Sequence, residues 1–287
     1  MSSHRTLNVA LLALTGFGNT VLEALLGDAR VRVGAVFTAG YDKPFPYYPE
    51  RPLPELCDER RIRYYHDLEV CAGEGMGRLC DLSPDLIIVA TFEQILRENI
   101  LGLPPLGVVN FHPSLLPRYR GRCPTNAALF NDERVTGVTV HYVTKQLDGG
   151  DILLQRAIAI NSRDTDGQLR RTLARLAGSM VPSLIGMFAS FTKPAGRPQD
   201  HSLASPAPKP AADAGYLERA TDVDTIRRMM RAFNPLPGTS IGVGGRRVTV
   251  DRFELFRAYG PTGLHEYNDA IELITGPQAI RLFKKVR

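Results

Sequence analysis

The chain has 287 residues, of which 44% are hydrophobic and 23% are charged, and this composition is ordinary for a folded globular protein. The formal net charge of +5 comes from scattered rather than clustered Lys and Arg, which disfavours a nucleic-acid-binding surface. No apolar run approaches the roughly 20 residues of a membrane span, and the four cysteines form no C-x-x-C pair. We therefore expect a cytoplasmic protein without a metal site.

The first third of the chain alternates strand-like and helix-like segments. An apolar run at residues 7–14 leads through the turn Thr15-Gly16-Phe17-Gly18-Asn19 into helical spacing at 21–26, and a strand is predicted at 31–37. The turn matches a dinucleotide-binding fingerprint poorly, since a third glycine and a following acidic residue are missing. A tight strand-to-helix turn is the favoured interpretation. Further helices are predicted at 52–61 and 68–79, and further strands at 63–65 and 86–90.

Strands interleaved with helices predict an α/β fold with a Rossmann-like, mostly parallel sheet. Ligands bind such sheets beyond the carboxyl ends of the strands. The segment Ala90-Thr91-Phe92-Glu93-Gln94 and the segment Asn110-Phe111-His112 both lie at such ends, so we expect them to face one crevice.

The most informative residues are Asn110 and His112, which end the apolar run at 106–111, and Asp148 in Leu147-Asp148-Gly149-Gly150-Asp151. Asn110 and His112 should point to the same side, because side chains alternate along a strand. The alternating segments at 139–143 and 152–160 predict a hairpin that returns Asp148 to the same edge. An amide, an imidazole and a carboxylate suit acyl transfer. The attacking group should come from the substrate, since nearby Cys123 has no obvious base.

These residues also carry a family resemblance. Asn110-x-His112, the segment His112-Pro-Ser-Leu-Leu-Pro-x-x-x-Gly121 and Asp148 before Gly149-Gly150-Asp151-Ile152 resemble the signature of formyltransferases that use 10-formyltetrahydrofolate. The resemblance covers roughly residues 5–190. Taken singly, Asn110 and Asp148 could be turn residues and His112 a structural histidine, but their combination and spacing favour the functional interpretation. His141, on a β-alternating segment, is interpreted as a packed histidine.

The resemblance implies a role for each residue. Asn110 would donate a hydrogen bond to the oxygen that becomes negative during transfer, His112 would stabilise the same charge as imidazolium, and Asp148 would hold His112 and help remove the amine proton. The cofactor would be 10-formyltetrahydrofolate. Its binding loops would be formed by Phe92, Glu93, Gln94, Ile95, Leu96, Val143, Thr144, Lys145, Gln146 and Leu147.

The composition changes at residues 193–214 to Pro, Ala, Ser and Lys, which predicts an extended linker. One helix at 223–233 and short strands at 247–250, 253–256, 270–274 and 279–283 predict a small β-rich subdomain after it. Its start, Arg231-Ala-Phe-Asn-Pro-Leu-Pro-Gly238, resembles the C-terminal domain of methionyl-tRNA and some sugar formyltransferases, which implies an OB-like barrel. The predicted domains are 1–195 (catalytic), 196–214 (linker) and 215–287 (C-terminal).

The acceptor amine is the more open question. Gly121-Arg122-Cys123-Pro124-Thr125-Asn126 resembles the amino-sugar N-formyltransferases, and an aromatic, proline-rich segment at 41–49 stands where the tRNA enzymes carry a basic insert. Arg120, Arg122 and Asn126, just past the motif, are candidates for contacting an anionic acceptor, and Tyr47 is a candidate for stacking against it. We expect the acceptor to be a nucleotide-linked amino sugar, so the binding partner is a small molecule rather than a nucleic acid or a membrane. A homodimer is left open. The alternatives are formylation of methionyl-tRNA or of another small amine, and a non-catalytic folate- or nucleotide-binding protein.

Overall fold

The computed structural model describes residues 5–40, 51–220, 222–258, 260–275 and 277–285. Of these, the residues within 1–121, 135–159 and 170–206 form one compact unit, and those within 122–134, 160–169 and 207–285 form a second. Segments of the two units therefore alternate along the chain, whereas the domains predicted from the sequence follow one another without alternating. No helix in the described part of the chain is long and apolar enough to cross a membrane.

The first unit contains a seven-stranded sheet. Its strands are β1 (Leu7–Ala13), β2 (Val31–Thr38), β3 (Tyr64–His66), β4 (Leu86–Ala90), β5 (Val108–His112), β6 (Val135–Tyr142) and β7 (Ile152–Ala159). They lie in the order β3-β2-β1-β4-β5-β6-β7. Strands β1 to β5 pair in parallel, and β6 and β7 are added antiparallel. The Rossmann-like, mostly parallel sheet predicted from the sequence is confirmed.

The central strands are buried because both faces of the sheet are covered. Leu11 and Leu12 in β1 and Ile87 and Ile88 in β4 are all fully buried. Neighbouring residues on a strand point to opposite faces, so burial of both members of each pair requires packing on both sides. This explains why these strands are continuous apolar runs rather than alternating ones.

The helices are α1 (Phe17–Leu26), α2 (Leu53–Arg60), α3 (Gly73–Leu82), α4 (Glu98–Leu101), α5 (Pro124–Phe130), α6 (Asp166–Met187) and α7 (Val223–Ala232). The helix predicted at 68–79 begins only at Gly73. The backbone before it is held by Gln94, whose Oε1 accepts the Val70 N–H at 2.9 Å and whose Nε2 donates to the Leu68 carbonyl at 2.7 Å. A side chain from a distant segment thus keeps residues 68–70 out of the helix.

The second unit contains α5, α7 and a five-stranded antiparallel sheet, which confirms the predicted β-rich region. Its strands are β8 (Thr239–Val243), β9 (Arg246–Arg257), β10 (Gly263–Glu266), β11 (Ala270–Ile274) and β12 (Gln278–Lys284), in the order β10-β11-β12-β9-β8. Strand β9 is continuous where the sequence predicted two strands. Arg231, at the start of the resemblance motif, is 2% exposed, and its guanidinium donates to Asp132 and to the Asn161 and Asp164 carbonyls.

The predicted linker packs on the first unit over part of its length. Arg197 exchanges two backbone hydrogen bonds of 2.8 Å with Ile152, the first residue of β7. A 3₁₀ turn follows at His201–Leu203. The Ser205 Oγ then accepts the Tyr119 N–H at 2.9 Å, and the Ser205 carbonyl accepts the Arg120 N–H at 2.8 Å. Residues 197–206 are therefore not a free spacer but an extended strap along the first unit.

Candidate active site

The site is built on the carboxyl end of β5. Asn110 and His112 are two residues apart on this strand, so their side chains lie on one face of the sheet. Asn110 pairs with Val89 of the parallel strand β4 and, on its other side, with His141 of the antiparallel strand β6. The sheet register thus brings a second histidine next to the predicted pair. His112 and His141 are 3% and 1% exposed.

Asp148 reaches the same face from the loop between β6 and β7. Its Oδ2 accepts the Gly121 N–H at 2.8 Å and lies 3.6 Å from Nδ1 of His112, while Oδ1 lies 3.6 Å from Nε2 of His141. Gly150 is required two residues later because a Cβ there would lie 2.0 Å from the Tyr142 carbonyl oxygen. The structure therefore brings together the three residues singled out from the sequence.

Hydrogen bonds to backbone carbonyls determine which ring nitrogen of each histidine carries the proton when the imidazole is neutral. His112 Nε2 is 2.8 Å from the Tyr119 carbonyl and must donate to it, which leaves the Nδ1 lone pair facing Asp148. His141 Nδ1 donates likewise to the Tyr142 carbonyl at 2.8 Å, so its Nε2 accepts from the Asn110 amide at 3.3 Å. One N–H of Asn110 is used in this way, and the other is available to a ligand.

His141 is a site residue that the sequence interpretation missed. It is packed, as expected, but its imidazole also orients the Asn110 amide and lies against Asp148. The signal that could have revealed it is the hairpin itself. Once β6 pairs with β5 antiparallel, His141 falls directly opposite Asn110.

The electrostatics favour a carboxylate beside a neutral imidazole. Burial lowers the pKa of His112 below its usual 6.5, and the nearby carboxylate of Asp148 only partly offsets this. Burial alone would raise the pKa of Asp148, but the positive charge of the His112 and His141 imidazoles when they are protonated, together with the Gly121 N–H, outweighs it and brings that pKa to about 2. At neutral pH the pair can therefore take up one proton at His112 Nδ1, between the ring and the carboxylate.

This arrangement can accept a proton and stabilise a negative oxygen in one buried place. Burial strengthens both effects, because charges interact more strongly when water is excluded. Within the described residues, no group of three or more His, Cys, Asp or Glu side chains is placed to hold a metal ion.

The two loops predicted to bind the cofactor flank this cluster in sequence. The side chains of Phe92, Leu96 and Val143 pack against the core, whereas Ile95 is 83% exposed and Leu147 is 62% exposed. Among the other predicted cofactor-binding residues, the exposed ones are Glu93, Thr144, Lys145 and Gln146. The side-chain amide of Gln94 is hydrogen-bonded to the backbone of Leu68 and Val70. A cleft of about 450 Å³ is lined by Glu69, Cys71, Gln94, Ile95 and Arg97.

The residues predicted to contact the acceptor have different environments. The Arg120 guanidinium donates to Gln199 Oε1 at 2.6 Å and contacts His201 Nδ1 at 3.0 Å. Arg122 is exposed in the second unit. Asn126 is 4% exposed, and its Nδ2 donates to the Ala232 carbonyl at 2.6 Å, so its amide holds α5 to α7. Tyr47 lies outside the described residues.

Comparisons with known proteins show the family to which the chain is similar. A family model described as formyl transferase matches residues 58–185. The methionyl-tRNA formyltransferase of Methylacidiphilum infernorum (isolate V4) is 30% identical over 263 residues, which cover 90% of this chain and 82% of that protein.

Two solved structures share the fold over nearly the whole chain. The N-formyltransferase from Helicobacter canadensis, in complex with folinic acid and dTDP-3-aminofucose, has a TM-score of 0.73 at 17% identity and covers 98% of this chain and 100% of that one. WlaRD, a sugar 3N-formyl transferase studied with dTDP and 5-N-formyl-THF, has a TM-score of 0.73 at 17% identity, with 99% coverage of both chains. At this identity the similarity concerns the fold.

Proposed function

The chain belongs to the family of 10-formyltetrahydrofolate-dependent formyltransferases, and from this premise we propose that it formylates the amine of a nucleotide-linked amino sugar. The observation that carries the transfer chemistry is the buried cluster of Asn110, His112, His141 and Asp148 at one sheet edge. A protein that only bound folate or a nucleotide would not need this set of groups, so the non-catalytic alternative is disfavoured.

The loops beside the cluster fit the family's one-carbon donor. Ile95 and Leu147 expose large apolar side chains, and a flat heterocycle can cover such groups. The cleft next to Gln94 and Ile95 provides room for a further part of the same molecule. We assign binding of 10-formyltetrahydrofolate to residues 92–96 and 143–147, largely through their backbone. When bound, the cofactor supplies an activated formyl group.

The protein side chains would then stabilise charge and move a proton. The N–H of Asn110 that His141 does not occupy donates to the formyl oxygen as that oxygen becomes negative. The pair formed by His112 Nδ1 and Asp148 would take the proton that the attacking amine loses and would return it to the folate nitrogen as the bond from that nitrogen to the formyl carbon breaks. Protonated His112 would also stabilise the negative oxygen through its positive charge, since its two N–H groups face the Tyr119 carbonyl and Asp148.

The acceptor assignment rests first on the sequence around the site. Gly121-Arg122-Cys123-Pro124-Thr125-Asn126 resembles the amino-sugar enzymes, and residues 41–49 offer aromatic rings but only one lysine. Aromatic rings suit stacking on one base or sugar, whereas tRNA binding needs many cationic contacts to phosphates.

The second unit gives independent support. Several of the cations on its sheet already face carboxylates: Arg246 and Lys284 contact Glu266 at 2.8 Å, and Arg281 contacts Glu272 at 2.6 Å. A cation paired in this way attracts a phosphate backbone less than a free cation would. Sugar N-formyltransferases also share the fold over this region, so the β-rich unit by itself does not imply a tRNA substrate.

Formylation of methionyl-tRNA is the second candidate. The specific observation in its favour is the relative from Methylacidiphilum infernorum, which is named for this activity and is 30% identical over 90% of this chain.

An acceptor competition tests the proposal. The protein is incubated with 10-formyltetrahydrofolate and either a dTDP- or UDP-linked amino sugar or charged initiator tRNA at physiological salt, and release of tetrahydrofolate is followed. We expect rapid formylation of an amino sugar and negligible formylation of methionyl-tRNA. Faster formylation of the tRNA would assign the second candidate function instead.

A further inference from the structure

The strap formed by residues 197–206 contributes a buried side chain to the Asp148 loop. Gln199 is 6% exposed, and its Nε2 donates to the carbonyl oxygens of Asp148 at 2.8 Å and Gly150 at 2.7 Å. Its Oε1 accepts from Arg120 through the terminal nitrogen at 2.6 Å and Nε at 3.3 Å. The donors and the acceptor of this one amide are therefore all used between the loop and Arg120.

These contacts close a ring around Asp148. The Gly121 N–H binds the Asp148 carboxylate, while the preceding residue, Arg120, holds the Gln199 amide that binds the Asp148 carbonyl. The strap is fixed on both sides of Gln199, by the pairing of Arg197 with β7 and by the contacts of Ser205. Gln199 therefore has little freedom to follow the loop if the loop moves.

The loop needs such support. Asp148 has a φ of +48°, in the left-handed region that residues other than glycine adopt only at an energetic cost. A residue in that region stays there only when its surroundings fix it. Its carboxylate must also stay 3.6 Å from His112, and a displacement of about 1 Å can slow a reaction roughly a hundredfold.

We infer that Gln199 is a positioning residue for formyl transfer, which holds the Asp148 carboxylate against His112 from outside the predicted catalytic domain. This inference rests on the proposed transfer chemistry but not on the choice of acceptor. The side chain does not have to touch either substrate.

Two substitutions and one control test this role. Gln199→Leu removes every polar contact, whereas Gln199→Glu keeps the length and the oxygen that Arg120 needs but loses both N–H donors to the loop. Arg197→Ala is the matched control, because its side chain is exposed and its backbone pairing with Ile152 is retained. Circular dichroism and thermal unfolding show which variants fold. If the leucine variant does not fold, the isosteric glutamate variant carries the test.

We expect kcat to fall about 10- to 100-fold in both Gln199 variants, while the acceptor KM and the affinity for 5-formyltetrahydrofolate change less than about threefold. The control should match the wild type. Wild-type kcat in both variants would overturn the inference, and so would a parallel loss of kcat, KM and folate affinity, which indicates general damage. If kcat is normal in Gln199→Glu but reduced in Gln199→Leu, the role of Gln199 is to support Arg120 and not the Asp148 loop, and the inference is also overturned.

The assay uses whichever amine the wild-type enzyme formylates, so a wrong acceptor and a wrong role for Gln199 give different results. If the wild type formylates none, the His112 imidazole titration, followed by NMR, decides. The charged groups facing this ring are Asp148, His141 and Arg120. Release of Asp148 in Gln199→Leu should move the His112 titration to lower pH, whereas the control should not. An unchanged titration would then overturn the inference.

Discussion

The ionised state of Asp148 makes a measurable contribution to stability. Its pKa is about 2 in the folded protein against a usual value of 3.8, and this difference of nearly two units corresponds to roughly 2 kcal/mol. A carboxyl group whose pKa is lowered by folding stabilises the protein fully above pH 3.8, and the contribution is lost as the pH falls from 3.8 towards 2. The opposite sign applies to His112, whose lowered pKa makes the folded state less stable as the pH falls below 6.5.

The substitution Asp148→Asn tests this contribution, because it keeps the shape of the side chain and removes its charge. We expect the wild type to be more stable than the variant at pH 7, by a margin that shrinks by at most roughly 2 kcal/mol between pH 7 and pH 2. The shrinkage is at most this large because the variant also lacks the carboxylate charge that raises the pKa of His112. Urea unfolding of both proteins at a series of pH values measures the margin, and the exposed Asp81→Asn in α3 is the control. The turnover of the Asp148 variant should also fall by a factor of 100 or more.

A stability margin that does not change with pH would refute this role of the Asp148 carboxylate. Such a result would mean that Asp148 is not held as a carboxylate between two imidazoles and the Gly121 N–H. A variant with wild-type turnover would separately remove Asp148 from the chemistry.

Two further substitutions test how the cluster is held. His141→Phe should lower kcat about tenfold with little change in folate affinity, because the Asn110 amide loses the acceptor that orients it. Steady-state kinetics would show this effect. Equal losses of kcat and of folate affinity would contradict it. Gly150→Ala should destabilise the protein by about 1 kcal/mol or more, since the added Cβ would lie 2.0 Å from the Tyr142 carbonyl oxygen. The control is Gly77→Ala, whose added Cβ meets no atom within 4 Å and should not destabilise the protein. Equal unfolding midpoints of the two variants would refute this prediction.

The residues closest together in sequence were the most predictable. Asn110 and His112 follow from strand alternation, and the Asp148 loop follows from two alternating segments around a glycine pair. Both rest on short-range patterns, and the structure brings all three side chains to one face. The mostly parallel sheet was predictable for the same reason, because each strand is recognisable within its own segment.

The contacts that the sequence did not reveal join distant segments. His141 becomes a site residue only through the register of β6 against β5. Gln199 lies 51 residues after Asp148, in a segment whose composition predicted a linker. Asn126 lies just past the motif, yet its amide binds the carbonyl of Ala232, 106 residues later. Composition and periodicity describe local structure, so partners of this kind become visible only once the chain is folded.

The most direct test of the account is the rate of formyl transfer in Asn110→Ala and His112→Ala, measured with saturating 10-formyltetrahydrofolate and the preferred amine. Asn110 supplies the hydrogen-bond donor and His112 the proton acceptor, so each variant should lose roughly a hundredfold in kcat while its circular dichroism stays that of the wild type. Near-wild-type kcat in either folded variant would contradict the assignment of this cluster as the catalytic site.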